Sequence, residues 1–167
     1  NLWLNGLYCV KTPYVLILHD DDELSPEFGA SLTDIRNILR DGPDLIIWDG
    51  IILENGVVTK EYHSNYNDIG WSKSNKMLEY YSKGSYPWSP VVQIMKTYVC
   101  IEALTECNQF FKDEVHFSKP TMMLGNEIAM TYKSLMRGGM SFYLQKGLTY
   151  YGRHPLSESE IYVQNED

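Results

Sequence analysis

The chain has 167 residues and a mass of 19.3 kDa, which suits one domain with a hydrophobic core and is too short for two ordinary domains. Its 44% hydrophobic and 13% aromatic content excludes a disordered or fibrous protein. The formal charge of −8 argues against a nucleic-acid partner, because Lys and Arg supply the contacts to a phosphate backbone.

The rest of the composition bears on location and processing. No apolar run approaches the roughly 20 residues that span a bilayer, and no signal-peptide pattern is present. Cys9, Cys100 and Cys107 match no zinc or redox spacing, which favours reduced core thiols. We therefore expect a cytoplasmic protein, or one at the inner face of the membrane with peripheral contact only. The chain begins with Asn1 rather than Met, which indicates a fragment, a processed product or a trimmed chain.

Residues 1–11 predict a short helix that Gly6 weakens. The first strong indication of a functional site comes after this helix. Residues 14–18 are an unbroken apolar run that predicts a buried parallel strand. His19 and four consecutive acids, residues 20–23, follow at its carboxyl end, where open α/β sheets bind ligands. Clustered carboxylates need a counter-charge, and Mg²⁺ or Mn²⁺ provides one while keeping positions for phosphate. The alternative is a solvated acidic turn that caps the next helix through Ser25 or Asp22.

This segment resembles the strand and the "Asp-x-Asp-Asp-x-Leu-x-Pro" turn of family 2 glycosyltransferases with the GT-A fold. The matching residues are Asp21, Asp22, Leu24 and Pro26, with Asp20 in the variable position and His19 in place of the first Asp. The resemblance implies that Asp20 and Asp22 bind the metal. It also implies that Asp20 and Asp21 contact the sugar donor, a nucleotide-diphosphate sugar.

Local signals predict the elements between this turn and the second motif. A helix over Pro26–Arg40 is bounded by Ser25 and by Asp41-Gly42-Pro43, and a strand over residues 44–53 leads into a Glu-Asn-Gly hairpin turn. The stretch 59–68 is polar and aromatic, which suits either a carbohydrate-facing loop or an ordinary surface loop. We expect a helix over residues 72–83, a rigid crossing over 85–90, a strand over 91–96 and a helix over 97–111.

The second motif lies at residues 122–130, where Gly125, Asn126 and Glu127 follow an apolar entry and are expected to open a helix. An acid at that position has a structural explanation, because carboxylates stabilise helix N-termini through the macrodipole. The resemblance offers another explanation. Gly125 and Glu127 match the Gly and the final acid of the family's "Gly-Glu-Asp" turn, which implies that Glu127 is the catalytic base.

The third motif closes the chain. Residues 140–151 alternate as one strand or two, with Lys146-Gly147 between them, and lead into Arg153 and His154. This end resembles the family's terminal "Arg-x-His-x-x-Ser-x-Ser" loop. The resemblance implies a phosphate contact from Arg153 and a third metal ligand or diphosphate contact from His154. The alternative is an ordinary turn at His154-Pro155.

The resemblance as a whole implies a GT-A domain over residues 1–167, with a Rossmann-like mixed sheet flanked by helices and without its N-terminal nucleotide-binding strands. The implied reaction moves a sugar from a nucleotide-diphosphate-sugar donor to a carbohydrate hydroxyl, with Mn²⁺ or Mg²⁺ and with inversion. Two other functions stay open. One is a related metal-dependent nucleotidyltransferase, and the other is an inactive carbohydrate-binding remnant.

Overall fold

The protein is described by a computed structural model over residues 2–62, 69–83, 92–113 and 119–153. Within these ranges it is a mixed α/β structure with one seven-stranded sheet and five helices. The helices are α1 (Leu2–Cys9), α2 (Pro26–Arg40), α3 (Ser74–Ser82), α4 (Thr97–Asp113) and α5 (Lys119–Leu135). The strands are β1 (Tyr14–Leu16), β2 (Glu23–Leu24), β3 (Leu45–Glu54), β4 (Val57–Tyr62), β5 (Gly70–Lys73), β6 (Gln93–Lys96) and β7 (Met140–Arg153).

The long strand β3 organises the sheet, whose order is β1-β6-β3-β7-β2. Strand β7 runs parallel to β3 on one side, whereas β6 and then β4 pair antiparallel along the other side. Strands β2 and β5 extend the far edge by pairing with β7. The pairing of β3 with β7 shifts register near Asp49 and Gly147. The sheet is therefore mixed and irregular at its centre.

Alternate residues of β3 feed two hydrophobic clusters on opposite faces of the sheet, as the two-residue period of a strand requires. Leu45 and Ile47 belong to the first cluster, with side chains from α3, α4 and α5. Ile46 and Trp48 belong to the second cluster, with side chains from α2. All four of these side chains are at most 1% exposed, so β3 is buried on both faces.

Asp44 anchors the beginning of β3. Its buried carboxylate accepts hydrogen bonds from Ser74 Oγ at 3.0 Å and from the Gly139 amide at 2.8 Å, and it pairs with Lys96 Nζ at 2.9 Å. Arg137 Nε lies 3.6 Å away. One satisfied carboxylate thus joins β3 to the start of α3, the end of β6 and the turn before β7.

Several local predictions are confirmed. Helix α2 has the predicted bounds, with Pro26 in its first turn and Gly42 at a φ of 73° beyond its end. The hairpin between β3 and β4 turns at Asn55 and Gly56, whose φ angles of 53° and 77° are the positive values that a tight two-residue turn requires. The short helix expected near the start of the chain is α1. The strand expected up to residue 96 is β6, and the helix expected from residue 97 is α4.

Other predictions are wrong. Strand β1 is a three-residue, half-buried strand antiparallel to β6, not a buried parallel strand. An apolar run indicates burial but does not indicate the direction of the strand. The strand is also shorter than predicted, because neither Ile17 nor Leu18 continues it. The predicted loop begins inside β4, and the start of the predicted helix over residues 72–83 belongs to β5. The expected crossing at residues 85–90 and most of the polar loop lie outside the described residues.

Two further expectations concern the thiols and the membrane. All three cysteines are free, but only Cys100 is buried and Cys9 is exposed, so Cys9 is not a core thiol. Burial raises the pKa of the Cys100 thiol to about 12. Among the helices of residues 2–62, 69–83, 92–113 and 119–153, none combines the length and the apolar character that crossing a bilayer requires.

Candidate functional site

The acidic turn begins three residues after β1 and closes on itself. The Asp22 amide donates to the His19 carbonyl at 3.3 Å, which brings both side chains to the same side of the turn. The next strand, β2, pairs with β7, and the Ser25 amide donates to the Leu148 carbonyl at 2.9 Å. The sheet therefore holds the turn at both ends.

His19 lies between two carboxylates that are far apart in the chain. Its Nδ1 is 3.2 Å from Asp22 Oδ2, and its Nε2 is 3.2 Å from Glu127 Oε1. The Asp22 side chain is 1% exposed and that of Glu127 is 13% exposed, so both pairs are shielded from bulk water. The acidic turn and the second sequence motif thus meet at one imidazole.

These contacts determine the charge of His19. The contact with the Asp22 carboxylate, followed by the contact with Glu127, raises the pKa of His19 from 6.5 to about 10, although partial burial of the ring acts in the opposite direction. Trp3 of α1 lies against the same ring with a centroid separation of 5.6 Å. At neutral pH the site therefore contains an imidazolium cation between two carboxylates.

Glu127 reaches this position from the third turn of α5. Met130 and Thr131, one helical turn further on, are fully buried against the sheet, so the same face of α5 carries Glu127 towards the end of β1. The expectation that Gly125, Asn126 and Glu127 open a helix is wrong, because α5 begins at Lys119. The macrodipole explanation for Glu127 fails with it, because that effect is confined to the first turn.

The end of β7 contacts the same turn. The Gly152 amide donates to Asp22 Oδ1 at 3.2 Å, and a Cβ atom at Gly152 would overlap the carbonyl oxygen of Asp21. Glycine is needed here because the two backbones touch. The acidic turn is therefore joined to Glu127 through His19, and to Gly152, the residue before Arg153, through Asp22.

The donor atoms suit a divalent cation. His19, Asp21 and Asp22 each offer one ligand atom, and these atoms lie within 4.8 Å of one another. Asp22 Oδ2 and His19 Nε2 each lie 3.2 Å from an oppositely charged partner, but neither contact has the alignment of a full hydrogen bond, so both atoms keep capacity for a ligand. Two carboxylates with one imidazole fit Mn²⁺ better than Mg²⁺, which prefers oxygen ligands alone.

The structure brings some of the predicted site residues together around His19 and leaves others away from it. Asp22 and Glu127 both contact His19, and Asp21 belongs with His19 and Asp22 to the group that could hold a metal, whereas Glu127 does not. Asp20 is exposed on the turn and is not part of that group. Arg153 is the last residue of β7 and follows Gly152, and His154 lies outside the described residues.

His19 and Gly152 are the functional residues that the sequence motifs did not assign. In the motif His19 is only a replacement for an acid, but its place at the end of an apolar run beside four acids is a signal in the sequence. No pattern in the sequence indicated that the Gly152 amide would bond to Asp22. That contact depends on the pairing of β2 with β7, which is a long-range property of the sheet.

No family model matches the chain, and comparison with curated proteins also gives no match. The site geometry and the motif resemblance are therefore the grounds for a functional assignment.

Proposed function

We propose that this protein is a metal-dependent glycosyltransferase with a GT-A-type arrangement, which transfers a sugar from a nucleotide-diphosphate sugar to a carbohydrate hydroxyl. The observation that carries the proposal is that the acidic turn contacts both Glu127 of the second motif and Gly152, the residue that precedes the third motif. His19 joins Asp22 to Glu127, and Gly152 joins the same Asp22 to the end of β7. Motifs that resembled one family in their order along the chain would be expected to converge in this way.

Asp21, Asp22 and His19 would hold the cation. Asp20, which is exposed on the turn, would contact the nucleotide-diphosphate sugar. When bound, Mn²⁺ or Mg²⁺ would supply positive charge that stabilises the departing diphosphate. A metal contact through His19 requires loss of the proton from the coordinating nitrogen. Arg153, and His154 after it, would add diphosphate contacts from the end of β7.

Glu127 is the proposed general base. Its carboxylate would accept the proton of the acceptor hydroxyl while that oxygen forms a bond to the anomeric carbon of the donor. The bond between that carbon and the diphosphate oxygen breaks in the same step, and the nucleoside diphosphate leaves with the bonding electrons. A single displacement of this kind inverts the anomeric configuration.

Burial suits Glu127 to this role. Its side chain is 13% exposed, which keeps a face open to an acceptor, and His19 orients one carboxylate oxygen. The other oxygen remains to receive the proton. An acid in the middle of a well-packed helix is held more rigidly than one on a loop, and precise placement is the main requirement of a base.

The first test is a thermal-shift measurement. We expect Mn²⁺ with UDP, GDP or dTDP to raise the melting temperature, and Asp22→Ala to abolish the shift. Asp34→Ala, an exposed acid on α2, is the matched control and should keep the shift. No shift with any of the three nucleotides would contradict the proposal.

The second part of the test separates binding from chemistry. Glu127→Gln should keep the nucleotide-dependent shift and lower transfer by about 100-fold or more, since general-base catalysis contributes about 10²–10⁴-fold. Unchanged transfer would place the base elsewhere. Release of diphosphate from a nucleoside triphosphate without sugar transfer would instead indicate a nucleotidyltransferase, and nucleotide-independent glycan binding would indicate an inactive binding protein.

A further inference from the structure

A chain of buried polar contacts runs from the sheet to the turn of α5 that carries Glu127. Thr131 Oγ1 lies 2.8 Å from Gln93 Oε1 and 3.2 Å from the carbonyl oxygen of Glu127. Gln93 and Thr131 are both 0% exposed. The contact joins β6 to α5 one helical turn after the proposed base.

The same contact closes a ring around the site. Strand β6 pairs with β1, with Ile94 opposite Leu16, and β1 leads into His19. Gln93 joins β6 to Thr131, the helix carries Thr131 and Glu127 together, and Glu127 returns to His19 at 3.2 Å. Because every link is a backbone pairing, a helix turn or a short polar contact, the ring restricts the distance between Glu127 and His19.

Gln93 also lowers the stability of the fold at its buried position. Its Nε2 has no hydrogen-bond partner within the described part of the chain, and an unpaired buried amide group opposes folding. An apolar side chain of the same length would pack there without that cost. A residue that disfavours folding at a buried position next to a functional group indicates a role other than packing.

We propose that Gln93 and Thr131 are positioning residues that fix Glu127 relative to His19. The inference rests on the proposed role of Glu127 as the base. Gln93 acts through Thr131, and neither residue would touch the substrate.

The variant Gln93→Met tests the proposal because it keeps the length of the side chain and removes the amide. We expect its resistance to urea to equal or exceed that of the unmodified protein. We expect the side-chain ¹⁵N resonances of His19, assigned with His19→Gln, to move at constant pH. In a transfer assay kcat should fall about 10-fold while the donor KM stays within about twofold, since small displacements of a base cost more in rate than in binding.

Ser134→Ala is the matched control. Ser134 is buried on the same helix and donates to the Met130 carbonyl at 2.8 Å, which is the same type of contact in the next turn. This variant should leave the His19 resonances and kcat unchanged. Thr131→Val removes the hydroxyl and should reproduce the effects of Gln93→Met. Thr131→Ser keeps the hydroxyl and should have the His19 resonances and the kcat of the unmodified protein.

Two results would overturn the inference. One is a Gln93→Met protein whose His19 resonances match those of the unmodified protein. The other is a set of variants in which Ser134→Ala moves those resonances as far as Gln93→Met does. If the nucleotide and transfer experiments fail, the proposed function fails, but the His19 resonances still decide whether Gln93 and Thr131 set the position of Glu127.

Discussion

His19 determines the charge balance of the candidate site, because it is the cation between Asp22 and Glu127. Without a proton on the imidazole, two carboxylates would share a partly buried site with no positive charge between them, and like charges there disfavour one another. The histidine at this position therefore replaces the first acid of the motif with a group of opposite charge. It allows the turn to fold with its acids ionised in the absence of a metal.

A stability measurement across pH tests this role of His19. The folded protein holds its pKa at about 10, above the ordinary 6.5, so the stabilisation is complete below about pH 6.5 and is lost as the pH rises towards 10. We expect the metal-free protein to lose about 1–2 kcal/mol of unfolding free energy relative to His19→Gln between pH 6.5 and 10, since partial exposure reduces the full effect. Urea denaturation of both proteins at each pH measures the difference. A constant difference would show that the imidazole is not charged by its neighbours.

The sequence predicted the acidic residues of the site better than it predicted their connections. The acidic turn was predicted from its place after an apolar run, and Glu127 from the resemblance of Gly125 and Glu127 to a family turn. The contact of one imidazole with both acids is not visible in the sequence, because it depends on how α5 packs across β6. The motif places Asp20 in a variable position, but only the structure shows that Asp20 is exposed and lies outside the group that could hold a metal.

At the scale of elements, the acidic turn depends on β7 as much as on β1. The close approach of Gly152 to Asp21 leaves no room for a side chain. We expect Gly152→Ala to reduce the unfolding free energy by about 1–3 kcal/mol, because an added methyl group forces two backbones apart. The same change should weaken Mn²⁺ binding, measured by the electron paramagnetic resonance signal of free Mn²⁺.

Gly29→Ala is the control for that substitution. Gly29 is exposed within α2, and a Cβ atom there would meet nothing within 4 Å. This variant should gain about 0.5–1 kcal/mol through helix propensity and bind Mn²⁺ normally. Equal Mn²⁺ affinity in both alanine variants would mean that β7 does not shape the metal turn.

Elements with strong local signals were predicted closely, and elements that depend on distant contacts were not. Helix α2 has a proline in its first turn, a regular apolar stripe and a glycine beyond its end, so its bounds follow from the sequence. Helix α5 begins six residues before Gly125, at Lys119, and Pro120 in its first turn was the signal that marked the true start. The four-residue strand β5 runs directly into α3 without a turn signal, so only its pairing with β7 reveals it.

At the scale of the whole molecule, β3 makes the two hydrophobic clusters interdependent. The strand order of the sheet could not be predicted, because antiparallel and parallel partners of β3 impose the same apolar pattern on its sequence. The two clusters nevertheless have side chains from consecutive residues of one strand, so neither cluster keeps its packing if β3 leaves the sheet. This arrangement favours unfolding as a single cooperative unit.

Hydrogen exchange in Ile47→Ala tests that cooperativity. Ile47 is 1% exposed in the cluster beneath α5, and its truncation should reduce the unfolding free energy by about 2–5 kcal/mol. If the molecule unfolds as one unit, the slowest-exchanging amides of α5 and of α2, on opposite faces of the sheet, lose the same amount of protection. Ile46→Ala, which removes the neighbouring side chain from the α2 face, should give the same result in both helices. Loss of protection in α5 alone for Ile47→Ala, and in α2 alone for Ile46→Ala, would show two layers that open independently. The site at the middle of α5 would then open without the α2 face.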